Sequence, residues 1–495
     1  MSEQTKPTTQ PDPVTDVVAV PKPTSSPNQK RNDFDIVIIG SGPAGHRAAI
    51  QSAKLGKRVA VIEKKTVIGG VSVNTGTIPS KTLREAVLHL SGFRQRSIYG
   101  LSYQVKHNIT MDDLMLRADH VIRHEIEISK HQLQRNGVEL IAGIAKITDP
   151  NTVHVTFTDK HGEDDITTDN ILIAVGTRVA KPDHIPFDGD TIFTSDDLLK
   201  LDHLPKTVTV VGGGVIGIEY ACMFATLGVR VTVVEMRDKL LGFIDDEIVD
   251  ALVYHMRQQR VTFRLGERVK SIAPTDTRYG KGVKTCLESG KEIVTEKALY
   301  AIGRQGATDK LGLASVGIKP DKRGRIKVND HYQTDVPNIY AVGDVIGFPS
   351  LASTSMEQGR MAASHAFGID TESFPQLFPY GIYAIPEIST VGSNEHELTE
   401  QGIPYEIGKA YYKEIARGQI LGDTIGMLKI IFHRENHKIL GVHIIGEGAS
   451  ELIHIGQTVM AFSGTIDYFI NTVFNYPTLA ECYKTAAFDG MNRLI

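Results

Sequence analysis

The sequence predicts an α/β fold, with two domains built on parallel sheets followed by an α+β domain at the C-terminal end. Three observations predict it. The stretch FDIVIIGSGPAGHRAAIQSAKLGKRVAVIEK runs from a short apolar strand through a glycine turn into an Ala-rich helix and back into a strand. Further along, TVTVVGGGVIGIEYACMFATLGVRVTVVEMRDKL repeats that order, so both read as strand, turn, helix, strand units. Towards the end, MLKIIFHRENHKILGVHIIG alternates strands before a helical stretch. With 495 residues and 41% hydrophobic content, the chain has room for about three domains with buried cores.

The formal net charge of -4, without blocks of like charge, argues against nucleic acid or an anionic membrane as main partner and for small molecules. Cys222, Cys286 and Cys482 are far apart and odd in number, which suggests neither a disulfide framework nor a zinc site and fits a reducing, cytoplasmic setting. Residues 1–32 are rich in Pro, Thr, Ser and Gln and read as a disordered tail. Their only apolar run, VVAV, is too short for a signal-peptide core, and no later stretch is long and apolar enough for a membrane span.

In the first unit, Gly40 permits the tight turn, Gly42 lets the backbone approach a pyrophosphate, and Gly45 allows close packing of helix on strand. The helix N-terminus offers N–H groups and positive dipole to phosphates. Glu63 closes the second strand, placed to accept ribose hydroxyls. Gly212, Gly214, Gly217 and Glu235 repeat the pattern, with 23 residues from first glycine to acid in both copies. Two Rossmann-like dinucleotide-binding domains are therefore expected, and electron transfer between two bound dinucleotides is the natural purpose of pairing them. In TDVPNIYAVGDVIG, Asp344 follows a short strand in a Gly-Asp turn, which taken alone reads as a turn and which could also present its carboxylate to a ribityl or ribose hydroxyl. ILIAVGT (171–177) and LYAIGRQ (299–305, with Gly303) each end a strand in glycine and read as crossings between the nucleotide domains.

Carried by these motifs, the chain resembles the two-dinucleotide-fold flavoprotein oxidoreductases, the family of glutathione reductase and dihydrolipoamide dehydrogenase, over everything after the tail. The resemblance implies that Gly40, Gly42, Gly45, Glu63 and Asp344 hold FAD. It assigns Gly212, Gly214, Gly217 and Glu235 to the nicotinamide coenzyme, and Gly303 is expected among the cofactor-binding residues. Lys81, in IPSK, matches the family's lysine near flavin N5, and Glu219, in GGGVIGIE, matches its carboxylate partner. A cation there stabilises the charge of a reduced flavin, and the carboxylate holds it in place. The resemblance also implies a homodimer formed through residues 373–495. The FAD domain is then expected over 33–187 and 304–372, with the NAD(P) domain at 188–303.

The disulfide reductases of this family carry two cysteines in the loop where this chain has Ser72 and Thr77, within GGVSVNTGTIPSKTL. Hydroxyls cannot undergo thiol–disulfide exchange. Their C-terminal histidine base is replaced by Tyr476 in FNYPTLAE, although Glu481 remains, and a phenol is poorly poised to move a proton at neutral pH. The disulfide half-reaction is thus expected to be absent. NTGTIPSKTLREAV and FNYPTLAECYKTAAFDGMNRL resemble the soluble pyridine nucleotide transhydrogenases, which implies FAD-dependent, ping-pong hydride exchange between NAD(H) and NADP(H). Two alternatives stay open, an NAD(P)H oxidase or quinone reductase and a non-catalytic redox-sensing flavoprotein.

Glu235 alone favours a 2'-hydroxyl over a 2'-phosphate. Arg237 and Lys239 follow it closely enough for a flexible turn to swing a cation towards that phosphate. Val215 stands where glutathione reductase has a gating tyrosine, which implies an open nicotinamide pocket. His120, His124 and His131 share a helix face but lack clustered Cys or Asp, so they read as a solvated face and no metal is expected. Cys222 reads as a small core residue. Cys482, beside Glu481, lies near the flavin only if the family's dimer forms.

Overall fold

The computed structural model describes residues 32–277 and 280–494, so the expected tail lies outside the described residues except for Asn32. The first domain is organised by a parallel sheet. Its strands run in the order Glu139–Asp149, Val59–Glu63, Phe34–Ile39, Glu163–Ile173 and Ile339–Ala341. Thr152–Phe157 pairs antiparallel with the far halves of the two long strands. The strand Val59–Glu63 is buried throughout, the pattern of a parallel strand covered on both faces. Helices Pro43–Lys54 and Ala352–Ala366 pack together on one of those faces.

A second parallel sheet has the order Thr262–Leu265, Arg230–Glu235, Thr207–Val211, Lys297–Tyr300, Ile192–Thr194. The chain enters and leaves it through two three-residue strands, Thr177–Val179 and Arg304–Gly306, which pair antiparallel. Gly176 and Gly303 precede them at φ 62° and 78°, a left-handed backbone that favours glycine.

The C-terminal unit is a five-stranded antiparallel sheet, in the order Tyr380–Ile382, Ile388–Gly392, Ile439–Ile445, Met427–His433, Tyr405–Tyr411. Helices Ala449–Ala461 and Glu481–Asn492 cover it, and Tyr412, Phe432, Phe469 and Tyr483 fill the core between. Six of the seven residues of Met427–His433 are buried, so both faces of this strand are covered. One of the six is Lys429. Its ammonium donates to Asp245 at 2.9 and 3.0 Å, reaches Glu247 at 3.2 Å, and also meets Glu395. Burial opposes its charge, but hydrogen bonds to Glu395 and Asp245 outweigh that and raise its pKa. The lysine thereby pins the start of helix Asp246–Gln258, in the second domain, to the C-terminal sheet. No helix among the described residues is long and apolar enough to cross a membrane.

Candidate active site

Each glycine fingerprint divides its labour in the same way. Gly40 sits at φ 106°, and a Cβ there would lie 2.5 Å from the carbonyl oxygen of Ala174. At Gly45 a Cβ would meet Gly40 O at 1.9 Å. The middle glycine differs, since a Cβ on Gly42 would meet only Gly70 Cα, at 4.0 Å. The second copy repeats this. Gly212 (φ 112°) and Gly217 are closed in at 2.8 and 2.0 Å by Ala301 O and Gly212 O, whereas nothing lies within 4 Å of a Cβ on Gly214. Outer glycines are therefore needed by the chain, and middle glycines leave space. Gly42 and Gly214 are also the N-caps of helices Pro43–Lys54 and Val215–Thr226, with no side-chain cap at either. Free N–H groups at a helix start then face that space, the arrangement that receives phosphate.

Two cavities open beside these turns. One, of about 580 Å³, is lined by Gly40, Gly42, Glu63, Ser72 and Asp344. The other, of about 860 Å³, is lined by Lys81, Gly214, Val215, Glu219 and Gly303. Val71, Thr77 and Asp344 line both, so a single cleft runs from the first fingerprint to the second. Of the expected residues, Gly45, Gly212, Gly217, Glu235 and Arg237 do not line it. The three glycines support the turns from behind, and Glu235 and Arg237 stand at the end of strand Arg230–Glu235.

Lys81 and Glu219, 138 residues apart, meet in the larger cavity, with Nζ donating to both carboxylate oxygens at 2.9 Å. Glu219 is 3% exposed, and it also accepts the backbone N–H of Tyr383 at 2.9 Å. Asp344 has one weak donor, the Thr177 hydroxyl at 3.3 Å. Burial raises its pKa, opposed by the nearby Arg304 charge. Arg304 in turn donates to the Thr177 hydroxyl at 2.8 Å and the Thr177 carbonyl at 3.0 Å. A partly buried carboxylate so sparsely satisfied is a ready acceptor for ligand hydroxyls.

The two ribose-type acids differ. Glu63 accepts from Ser41 N and Oγ (3.0 and 2.7 Å) and Lys65 N (3.1 Å), leaving about one of the four lone-pair sites of a carboxylate free. Glu235 accepts Gly213 N at 2.7 Å, Arg237 N at 3.0 Å, and the Arg237 side chain at 2.9 and 3.3 Å. All its sites are taken. Burial works against its charge, yet the hydrogen bonds from Arg237 and Gly213 dominate and lower its pKa. Arg237, half exposed, thus caps Glu235 with its guanidinium. Lys239 turns away to Asp246 at 2.6 Å.

Ser72 lies on a short helix, Gly70–Asn74, and Thr77 opens the next, Thr77–Ser91. Tyr476 is 74% exposed and outside the cleft in the single chain. Cys482 does not approach the cleft. It is wholly buried in the C-terminal core, where burial pushes its thiol up to about 12. Cys222 sits in the core as expected, its thiol likewise raised by burial to about 12. His120, His124 and His131 are exposed along helix Met111–Arg135. Tyr383, Thr177 and Arg304 were not singled out from the sequence. Each acts through a partner more than 100 residues away, and no local spacing signals it.

Two fingerprints opening on one cleft, with an ion pair between them, are the arrangement of an oxidoreductase that holds two dinucleotides. The family described as pyridine nucleotide-disulphide oxidoreductase matches residues 34–359, and its dimerisation domain matches residues 378–487. The chain belongs to this family. Within it, a soluble pyridine nucleotide transhydrogenase of Mycobacterium tuberculosis is 54% identical over 462 residues, covering 93% of this chain and 98% of the relative. Soluble pyridine nucleotide transhydrogenases of Chromohalobacter salexigens and Pseudomonas aeruginosa are 46% and 44% identical, each covering 99% of the relative and 94% and 93% of this chain. Among solved structures, LpdA of M. tuberculosis superposes with TM-score 0.83 at 28% identity, covering 93% of this chain and 99% of that one. The HOCl-induced flavoprotein disulfide reductase RclA of Escherichia coli gives 0.82 at 27%, covering 92% and 99%.

Proposed function

We propose that this oxidoreductase exchanges hydride between NAD(H) and NADP(H) by a ping-pong cycle at a bound FAD, without a redox disulfide. The observation that carries this is the Lys81–Glu219 pair between two open-glycine turns, in a chain with hydroxyls at Ser72 and Thr77. The chain's residues fit FAD. Gly42 leaves room for a pyrophosphate, Glu63 keeps an acceptor for a ribose, and Asp344 is a partly buried carboxylate with a single weak donor. FAD, when bound, supplies a two-electron carrier that takes a hydride from one nicotinamide and gives it to the other.

The protein's own residues bind and orient. Lys81 presents a positive charge to the cavity, and Glu219 keeps that charge fixed. Gly214 admits the coenzyme pyrophosphate to a helix start, and Val215 leaves the nicotinamide pocket ungated. Arg237 gives the site its dual use. Paired with Glu235 it cancels the charge that would repel a 2'-phosphate, and its exposed guanidinium can turn to that phosphate while backbone N–H groups still hold the acid.

The match to a dimerisation domain supports a homodimer. Exposed Val473, Tyr476 and Phe488 on the C-terminal unit supply apolar surface for it. The same reading divides the chain into FAD segments at 33–187 and 304–372, an NAD(P) domain at 188–303, and an interface domain at 373–495, and it sets the reaction in the cytoplasm. In air, with NADH and NADP+ supplied together, NADPH should form faster than oxygen is consumed, with parallel double-reciprocal lines. Oxygen or quinone reduction as fast as exchange would favour the oxidase reading instead.

A further inference from the structure

We propose that Tyr383 is a positioning residue for hydride transfer, its ring face and backbone N–H together fixing the Lys81–Glu219 pair. This rests on the reading of Lys81 as the cation beside the flavin. Lys81 Nζ lies 4.7 Å from the centroid of the Tyr383 ring, within the range where an aromatic face attracts an ammonium. The Tyr383 N–H donates at 2.9 Å to Glu219 Oε1, which also accepts from Lys81. One residue therefore touches both members of the pair.

The lysine alone is poorly constrained. Its long stem carries high rotamer entropy, its side chain is 27% exposed, and its remaining polar partner is Ser80 Oγ at 3.4 Å. Carboxylate oxygens on one side and a ring face on the other restrict where the ammonium can sit. The segment bearing Tyr383 is itself clamped to the helix that carries Lys81. Arg84, one turn further along that helix and 3% exposed, donates to Ala384 O at 2.9 Å and pairs with Glu387 at 3.5 Å. Three parts of the chain thus meet at one ammonium, through helix Thr77–Ser91, helix Val215–Thr226 and the residue after strand Tyr380–Ile382. The C-terminal unit contributes directly to the reaction centre of its own chain.

The test compares FAD-loaded wild type, Tyr383→Phe, Tyr383→Leu and Lys81→Met by flavin midpoint potential and by the anaerobic single-turnover rate of bleaching with NADH. Lys81→Met should make the potential more negative. Tyr383→Leu should shift it in the same direction by a smaller amount and slow bleaching about five-fold at unchanged KM. Tyr383→Phe, which keeps the ring, should match wild type. Should Tyr383→Leu fail to fold, Tyr383→Met carries the same comparison. A wild-type potential and rate in the Tyr383 truncation alongside a shifted Lys81→Met overturns the role of Tyr383 alone. No shift in Lys81→Met overturns the reading of Lys81 and this inference with it.

Discussion

Substituting alanine at Gly214 and at Gly217 should separate the two uses of glycine in the second fingerprint. Gly214 has φ -79° and ψ -179°, an extended backbone open to any residue, and a Cβ there has nothing within 4 Å. Losing a glycine N-cap costs less than about 1 kcal/mol, and reduced freedom of the unfolded chain returns about 0.4–1 kcal/mol. Gly214→Ala should therefore fold and melt like wild type. Its methyl group, however, stands in the space through which the backbone approaches the coenzyme pyrophosphate. Losing one charge-assisted hydrogen bond costs about 1.5–3 kcal/mol, so KM for NADH and NADPH should rise roughly 10- to 100-fold together. At Gly217 a Cβ would lie 2.0 Å from Gly212 O, where real contacts stay beyond 3.0 Å. Backbone must move, at a cost on the order of 1–3 kcal/mol or more, and Gly217→Ala should melt visibly lower. Thermal melts and coenzyme titrations on both variants check this. A Gly214→Ala enzyme with wild-type KM values would refute the assignment of that open space to the coenzyme.

Asp344→Asn should stabilise the FAD-free protein at neutral pH while weakening FAD binding. The folded pKa of Asp344 is raised above 3.8, mainly by burial. Its stability contribution is thus present below about 3.8 and lost as pH rises through the raised folded value, so the advantage of the asparagine variant should vanish in acid and level off above it. Paired melts across pH 3 to 8 would show it. Arg237→Ala should raise KM for NADPH about ten-fold by baring Glu235, with KM for NADH unchanged or lower, a discounted charge-assisted hydrogen bond at a half-exposed site. Equal changes for both coenzymes would count against the pairing as the basis of dual use. Alkylation at pH 8 should label Cys286, on a partly exposed strand, and spare Cys222 and Cys482, whose thiols burial raises to about 12. Mass spectrometry reads this directly, and exchange activity should survive the labelling.

What the sequence made legible is what the chain encodes locally. Each fingerprint places strand, turn and helix within about thirty residues, and Gly40, Gly42, Gly45 and their second copies fall where that order requires. Lys81 and Glu219 were found only by resemblance, because nothing near IPSK reveals a partner 138 residues away. Arg237 was noticed as a charge, but its fork on Glu235 depends on the exact end of a strand. Tyr383 and Arg304 were invisible for the same reason, since their partners lie more than 100 residues away along the chain. The strand Met427–His433 holds a further contact that no local pattern signals. Lys429 is wholly buried there, and the carboxylates of Asp245, Glu247 and Glu395, from distant parts of the chain, make its burial tolerable.

In the proposed cycle one cleft serves both coenzymes without the use of any cysteine. Purified, FAD-loaded protein mixed anaerobically with NADH and then with NADP+ tests it most directly. The flavin absorbance should bleach on the first addition and recover on the second, with NADPH formed in stoichiometric amount. Bleaching that persists until oxygen or a quinone is admitted would contradict it.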